Sequence, residues 1–161
     1  MEPKGFESHD HTHCITTAVS AAEAHCAANN LQMTPVRRRV LELLLERHRA
    51  MGAYEILDVL REEGLGAQPP IAYRALDFLA RHGFVHKIEK RNAFVACSHP
   101  GANHAPAFLI CRGCDMVAEA PGQPSDGALA DAARAAGFAI ERTVVEAEGL
   151  CPTCQTSEAP A

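Results

Sequence analysis

Two cysteine pairs carry the strongest chemical signal in this chain: Cys111-Arg-Gly-Cys114 and Cys151-Pro-Thr-Cys154. A two-residue gap lets both thiolates of one knuckle turn toward a single ion, and two knuckles complete the tetrahedral four-cysteine site preferred by zinc. Such a site is closed to substrate, so its role is structural, and it can supply on the order of 10 kcal/mol of folding energy. Thirty-six residues separate the knuckles, so a strand–helix–strand unit must bring their ends together.

A second set of ligand types is more dispersed: His86, Cys97, His104 and Glu119. Spacing alone does not bring these four together, and His82 and His99 are equally eligible by proximity. The N-terminal His9-Asp-His11-Thr-His13-Cys14 has ligand types without a framework and reads as a solvated tail. His25 and Cys26, on a helix, read as structural. Cations gather elsewhere. Arg37-Arg38-Arg39, with Arg47, Arg49, Lys87, Lys90 and Arg91, form a candidate phosphate-binding face. No nucleophile elbow, phosphate loop or paired-carboxylate motif is present, so catalysis is not expected.

The elements that must position these residues can be read from periodicity. An alanine-rich stretch at 16–29 predicts a first helix. Thr34-Pro35 is a start signal, and Val36, Val40, Leu41 and Leu44 predict an amphipathic helix over 35–48. After Gly52, Ala53, Ile56, Leu57 and Leu60 mark an inner face, leaving Tyr54, Asp58 and Arg61 outside. A third amphipathic helix spans about 70–82, with Ile71, Ala75, Leu76 and Leu79 inward and Tyr73, Arg74, Asp77 and Arg81 outward. Residues 84–88 and 93–97 flank the turn Glu89-Lys90-Arg91-Asn92 as a hairpin. Three helices and a two-stranded wing describe a winged helix-turn-helix, whose last helix enters the major groove. There Arg74 can offer a bidentate contact to guanine, worth roughly 1–3 kcal/mol of discrimination. Strands at 107–111, near 116–119 and at 138–147, with a helix across 126–136, predict a small α/β unit.

The expected fold is therefore α+β, an N-terminal winged helix-turn-helix followed by a small α/β dimerisation domain. Its boundaries are a His-rich disordered tail at 1–15, the winged helix at 16–97, a hinge at 98–106, the second domain at 107–155 and a tail at 156–161. Composition agrees. The 161 residues include seven cysteines and nine histidines, no tryptophan, and a net charge of −5. Residues 31–95 hold eleven Lys/Arg against eight Asp/Glu, whereas 96–161 hold three against eight. A basic module thus precedes an acidic one. MEPKGFESHDHTHC has no apolar run after a basic one, and no segment is long enough to span a bilayer, so neither secretion nor a membrane is expected. Many cysteines in a reducing compartment point to metal.

At about residues 20–155 the chain resembles the Fur family of metal-responsive repressors, and within it the zinc-sensing branch. The resemblance rests on LQMTPVRRRVLELL, AYEILDVLRE, PPIAYRALDFLARHGFVHKIE, CRGC and GLCPTC. It implies a cytoplasmic homodimer that binds palindromic double-stranded operators when zinc-loaded and represses zinc-uptake genes. It also implies two zinc ions per subunit: a structural ion on Cys111, Cys114, Cys151 and Cys154, and a regulatory ion on His86, Cys97, His104 and Glu119. Tyr54 and Arg74 match base-contacting positions, with Tyr73 beside them. The HHDH run of iron-sensing members is absent, replaced by NHAPAFLIC, and two imidazoles, a thiolate and a carboxylate suit zinc better than iron or manganese. The alternatives are an iron-, manganese- or peroxide-sensing member and a zinc-ribbon redox or metal-carrier protein.

Overall fold

The computed structural model describes residues 5–6, 10–46, 49–66, 68–100, 105–122 and 126–158. His104, Arg47 and His9 lie outside the described residues. The chain runs α1 (His11–Ala28), α2 (Pro35–Glu46), α3 (Ala53–Glu62), α4 (Pro69–Arg81), β1 (Val85–Ile88) and β2 (Ala93–Ala96). It continues with β3 (Ala105–Cys111), β4 (Val117–Gly122), α5 (Ala128–Ala135), β5 (Val145–Gly149) and α6 (Pro152–Glu158).

Helix α1 starts five residues earlier than its alanine pattern predicts, so residues 11–15 are helical and not part of a disordered tail. The reason is local. The Asp10 carboxylate accepts the Thr12 backbone N–H at 2.9 Å, an N-cap that the alanine periodicity does not register. Ile15 and Val19 then pack against the helical core. Helix α2 is capped as expected: the Thr34 hydroxyl accepts the Arg37 N–H, and Pro35 takes the first position. Its residues Val40, Leu41 and Leu44 are buried against Ile56, Leu57 and Leu60 of α3 and Ala75, Leu76 and Leu79 of α4. Ala72 takes the fully buried position where Ile71 was expected, and Ile71 sits half-buried against Gly66.

The wing is an antiparallel pair with His86 opposite Val95 and Val85 opposite Ala96. Its turn is a single 3-10 turn, Glu89–Arg91, closed by Asn92 at φ +47°, a left-handed conformation that asparagine tolerates better than most residues. Strand order in the second sheet is β4-β3-β5, with β3–β4 antiparallel and β3–β5 parallel through α5. Strand β3 begins at Ala105, inside the stretch expected as hinge.

Two expectations in the second module need correction. The strand predicted over 138–147 is confined to Val145–Gly149, because residues 138–144 pair with no strand among the described residues. Phe138 and Val144 there are exposed, as is Leu129 on α5. Residues 156–158, expected as tail, belong to α6, which Pro152 starts directly after the first cysteine of the second knuckle.

The wing and the second sheet share a core. Ile88 and Val95 of the wing are buried against Phe108, Ile110 and Val117 of the sheet. Backbone bridges Met51–Phe94 and Arg49–Met116 extend the contact. The fold is thus two modules joined by an apolar seam, with the candidate ligands at its edge.

Candidate metal centres and recognition face

Parallel pairing sets the four-thiol cluster. Cys111 ends β3 opposite Gly149 of β5, so the chain leaving β5 delivers Cys151 beside Cys111. The first knuckle turns tightly: Asp115 N–H donates to the Cys111 carbonyl at 3.0 Å, with Asp115 at φ +62°. A Cβ on Gly113 would stand 3.0 Å from the Cys154 sulfur, so a larger residue there would crowd the second knuckle by a few tenths of an ångström. The four sulfurs lie within 4.8 Å of one another, Cys114 and Cys151 at 3.8 Å. Around a tetrahedral zinc with bonds of about 2.0–2.3 Å, ligand atoms stand about 3.3–3.8 Å apart, so the donor set fits.

Backbone donors converge on these sulfurs. Burial pushes the Cys111 thiol up, but N–H groups of Cys151, Cys114 and Gly113 outweigh it and bring it down to about 6. Cys154 moves the other way, to about 12, through its hydrogen bonds to Cys151 and Cys111. One thiolate is thus favoured in the metal-free chain, and four together require a cation.

The second cluster spans the seam. Paired strand residues face the same side, so His86, Val95 and, two residues on, Cys97 share one face of the wing. Opposite them stands Glu119 of β4, the one buried charged side chain among the described residues, 5% exposed. Its Oε1 lies 3.7 Å from His86 Nε2 and 3.9 Å from Cys97 Sγ, while Oε2 accepts the Ser98 N–H at 2.8 Å. Burial first, and then the Glu119 charge, push the Cys97 thiol up to about 12. Imidazole, thiol and carboxylate within 4.8 Å are a zinc-type donor set at tetrahedral spacing. Neither His82 nor the His99 ring joins this cluster. His82 stacks on Phe78 and His25 at the end of α4, and His99 contributes its backbone N–H to Cys97 Sγ at 3.4 Å.

The expected nucleic-acid face divides into two parts. Tyr54 and Tyr73 are exposed, 63% and 45%, with rings edge-to-face at 6.5 Å across α3 and α4, and Arg74 lies exposed beside Tyr73. The arginine run of α2 is engaged in surface contacts with other side chains of the protein. The Arg37 guanidinium lies 3.7 Å over the Phe78 ring and donates to the Gln32 carbonyl. Arg38 pairs with Glu23 and Glu42, and Arg39 with Glu63, Glu46 and Glu42. These contacts tie α2 to α1, α4 and the end of α3. Glu42 and Glu46 are local partners within α2, whereas Glu23 and Glu63 lie 15 and 24 residues away, beyond any local sequence pattern.

A winged helix, an α/β module and a donor set shared across their seam define the architecture of metal-dependent DNA-binding regulators. The chain belongs to the ferric uptake regulator family, whose model matches residues 28–147. It is 41% identical to the zinc uptake regulation protein of Escherichia coli K12 over 142 residues, covering 88% of this chain and 83% of that protein. A solved zinc uptake regulator complexed with zinc and DNA superposes with a TM-score of 0.82 at 39% identity, covering 89% of this chain and 97% of the other. The protein XcZur gives 0.75 in its holo form (42% identity, covering 87% and 98%) and 0.50 in its apo form (43%, covering 87% and 97%). At nearly equal identity and coverage, this chain superposes better on the holo form than on the apo form.

Proposed function

We propose that the chain is a zinc-responsive DNA-binding repressor of zinc-uptake genes, acting as a homodimer on palindromic operators in the cytoplasm, and that it is not an enzyme. One observation carries this reading: His86 and Cys97 belong to the wing, Glu119 belongs to the second module, and all three converge at one point. An ion held there joins the reading head to its partner module and fixes their angle. His104 is the fourth ligand of this regulatory ion in our reading, as the family resemblance implies. Cys111, Cys114, Cys151 and Cys154 hold a second, structural zinc, giving two per subunit. To move from about 1% to 99% in the closed arrangement, zinc must favour it by roughly 5.5 kcal/mol.

The similarity to zinc uptake regulators, one of them bound to zinc and DNA, supports this reading. Tyr54, Tyr73 and Arg74 are the residues proposed to face the bases. Leu129, Phe138 and Val144 are exposed large apolar residues of the second module, the module we assign to the homodimer contact. Among the described residues no helix is long and apolar enough to cross a membrane.

The test is a titration of operator binding against buffered free zinc for the wild type and Cys97→Ser, with zinc content measured in parallel. The expected result is zinc-dependent binding that Cys97→Ser abolishes while one zinc per subunit remains. Operator binding that persists when only the four-thiolate zinc is left would overturn the proposal.

A further inference from the structure

The face of the β4-β3-β5 sheet that meets the wing carries two cross-strand rows, Glu119–Phe108–Glu146 and Val117–Ile110–Glu148. Paired residues of neighbouring strands point to the same side, so each row presents its three side chains together. At one end of the first row, Glu119 reaches His86 and Cys97. At the other end, Glu146 accepts the backbone N–H of Glu89 at 2.5 Å and of Lys90 at 2.9 Å, both in the wing turn. Phe108, 5% exposed, fills the space between, its ring 5.5 Å from that of His86.

Further contacts surround this clasp. Lys90 Nζ stands 3.2 Å from Glu148, Arg91 meets both Glu148 and Asp115, and Arg142 pairs with Glu89 at 2.5 Å. Exposed ion pairs of this kind contribute little individually. The Glu146 contact is different, because a half-buried carboxylate receiving two backbone N–H groups makes charge-assisted bonds of fixed geometry. Those N–H groups belong to the turn joining β1 to β2. His86 lies on one strand and Cys97 directly follows the other.

We propose that Glu146 is a positioning residue for the wing cluster: by clasping the turn Glu89–Arg91 it seats His86 and Cys97 opposite Glu119. This rests on the reading that the cluster holds the regulatory zinc. Clasp and metal are then two stabilisers of one closed arrangement. When that arrangement is only partly populated, apparent zinc affinity falls in proportion. The coupling is reciprocal, so zinc must tighten the clasp by the same factor.

The experiment uses the full-length protein with both zinc ions and compares wild type, Glu146→Ala and Glu146→Gln. Competition with a chromophoric chelator reads the affinity of the weaker zinc, and hydrogen exchange reads the Glu89 and Lys90 amides with and without it. Glu146→Ala is expected to weaken that zinc about tenfold, within the usual range of coupling, and to speed exchange at both amides while the four-thiolate zinc stays bound. Glu146→Gln keeps one acceptor oxygen and falls between. Faster exchange with unchanged zinc affinity overturns the coupling, and unchanged exchange overturns the clasp itself. A wild type that takes up only one zinc strikes the reading of the wing cluster, and exchange in that chain still tests the clasp.

Discussion

His86 Nε2 stands 3.7 Å from Glu119 Oε1, although one residue belongs to the wing and the other to the second module. Glu119 is the carboxylate of the wing cluster and also accepts the Ser98 N–H. In Glu119→Gln the amide oxygen can still accept that N–H, but an amide is a poorer zinc ligand than a carboxylate. The expected outcome is a zinc affinity at the wing cluster lowered at least tenfold. Zinc competition checks it.

Zinc binding at this cluster must expel a proton. The Cys97 thiol is pushed up to about 12, so at neutral pH the metal-free residue is protonated, whereas a zinc-bound thiolate is not. With one proton released, apparent affinity rises about tenfold for each pH unit gained below that value. Competition titrations between pH 7 and pH 8, with buffer-dependent binding enthalpy counting the proton, test this. A flat profile contradicts it.

Removing one ligand from the closed cluster is a folding experiment. Cys114→Ser is expected to lose one zinc per subunit and the cooperative unfolding of the second module, since a site of four cysteines contributes on the order of 10 kcal/mol. Prolonged chelation of the wild type should reproduce this, in contrast to brief chelation that empties only the wing cluster. Zinc content and circular dichroism melts provide the measurement.

Arg39 and Arg74 separate stability from recognition. Arg39→Ala breaks contacts to Glu63, Glu46 and Glu42 and is expected to cost about 1–2 kcal/mol of stability, with the salt dependence of DNA binding unchanged. The Glu63 carboxyl is held below its ordinary value by hydrogen bonds from Arg39. Its contribution is therefore present at neutral pH and is lost as pH falls through the folded-state value. Arg74→Ala should leave the melt unchanged and remove about 1–3 kcal/mol of operator discrimination. Denaturation at two pH values, and binding to matched and mismatched DNA, check the pair.

Local chemistry in the sequence specified much of this molecule. Two CxxC knuckles announced a four-thiol cluster, helical periodicity marked the inner faces of α2, α3 and α4, and a polar four-residue turn marked the wing. These signals are legible because each comes from interactions within a few residues. The early start of α1 was less visible, since a single Asp10 cap decides it, and residues 138–144 resembled a strand because they are rich in aromatic and β-branched residues, although only Val145–Gly149 pairs with β3. Which histidine joins Cys97 and Glu119 was not decided by spacing at all. That choice, the engagement of the α2 arginines with distant carboxylates, and the row joining Glu119 to Glu146 were decided by the tertiary structure. The physical reason is common to all three: strand register and the apolar seam Ile88–Val95–Phe108–Ile110 fix which side chains meet, and no local pattern encodes a contact between separate modules.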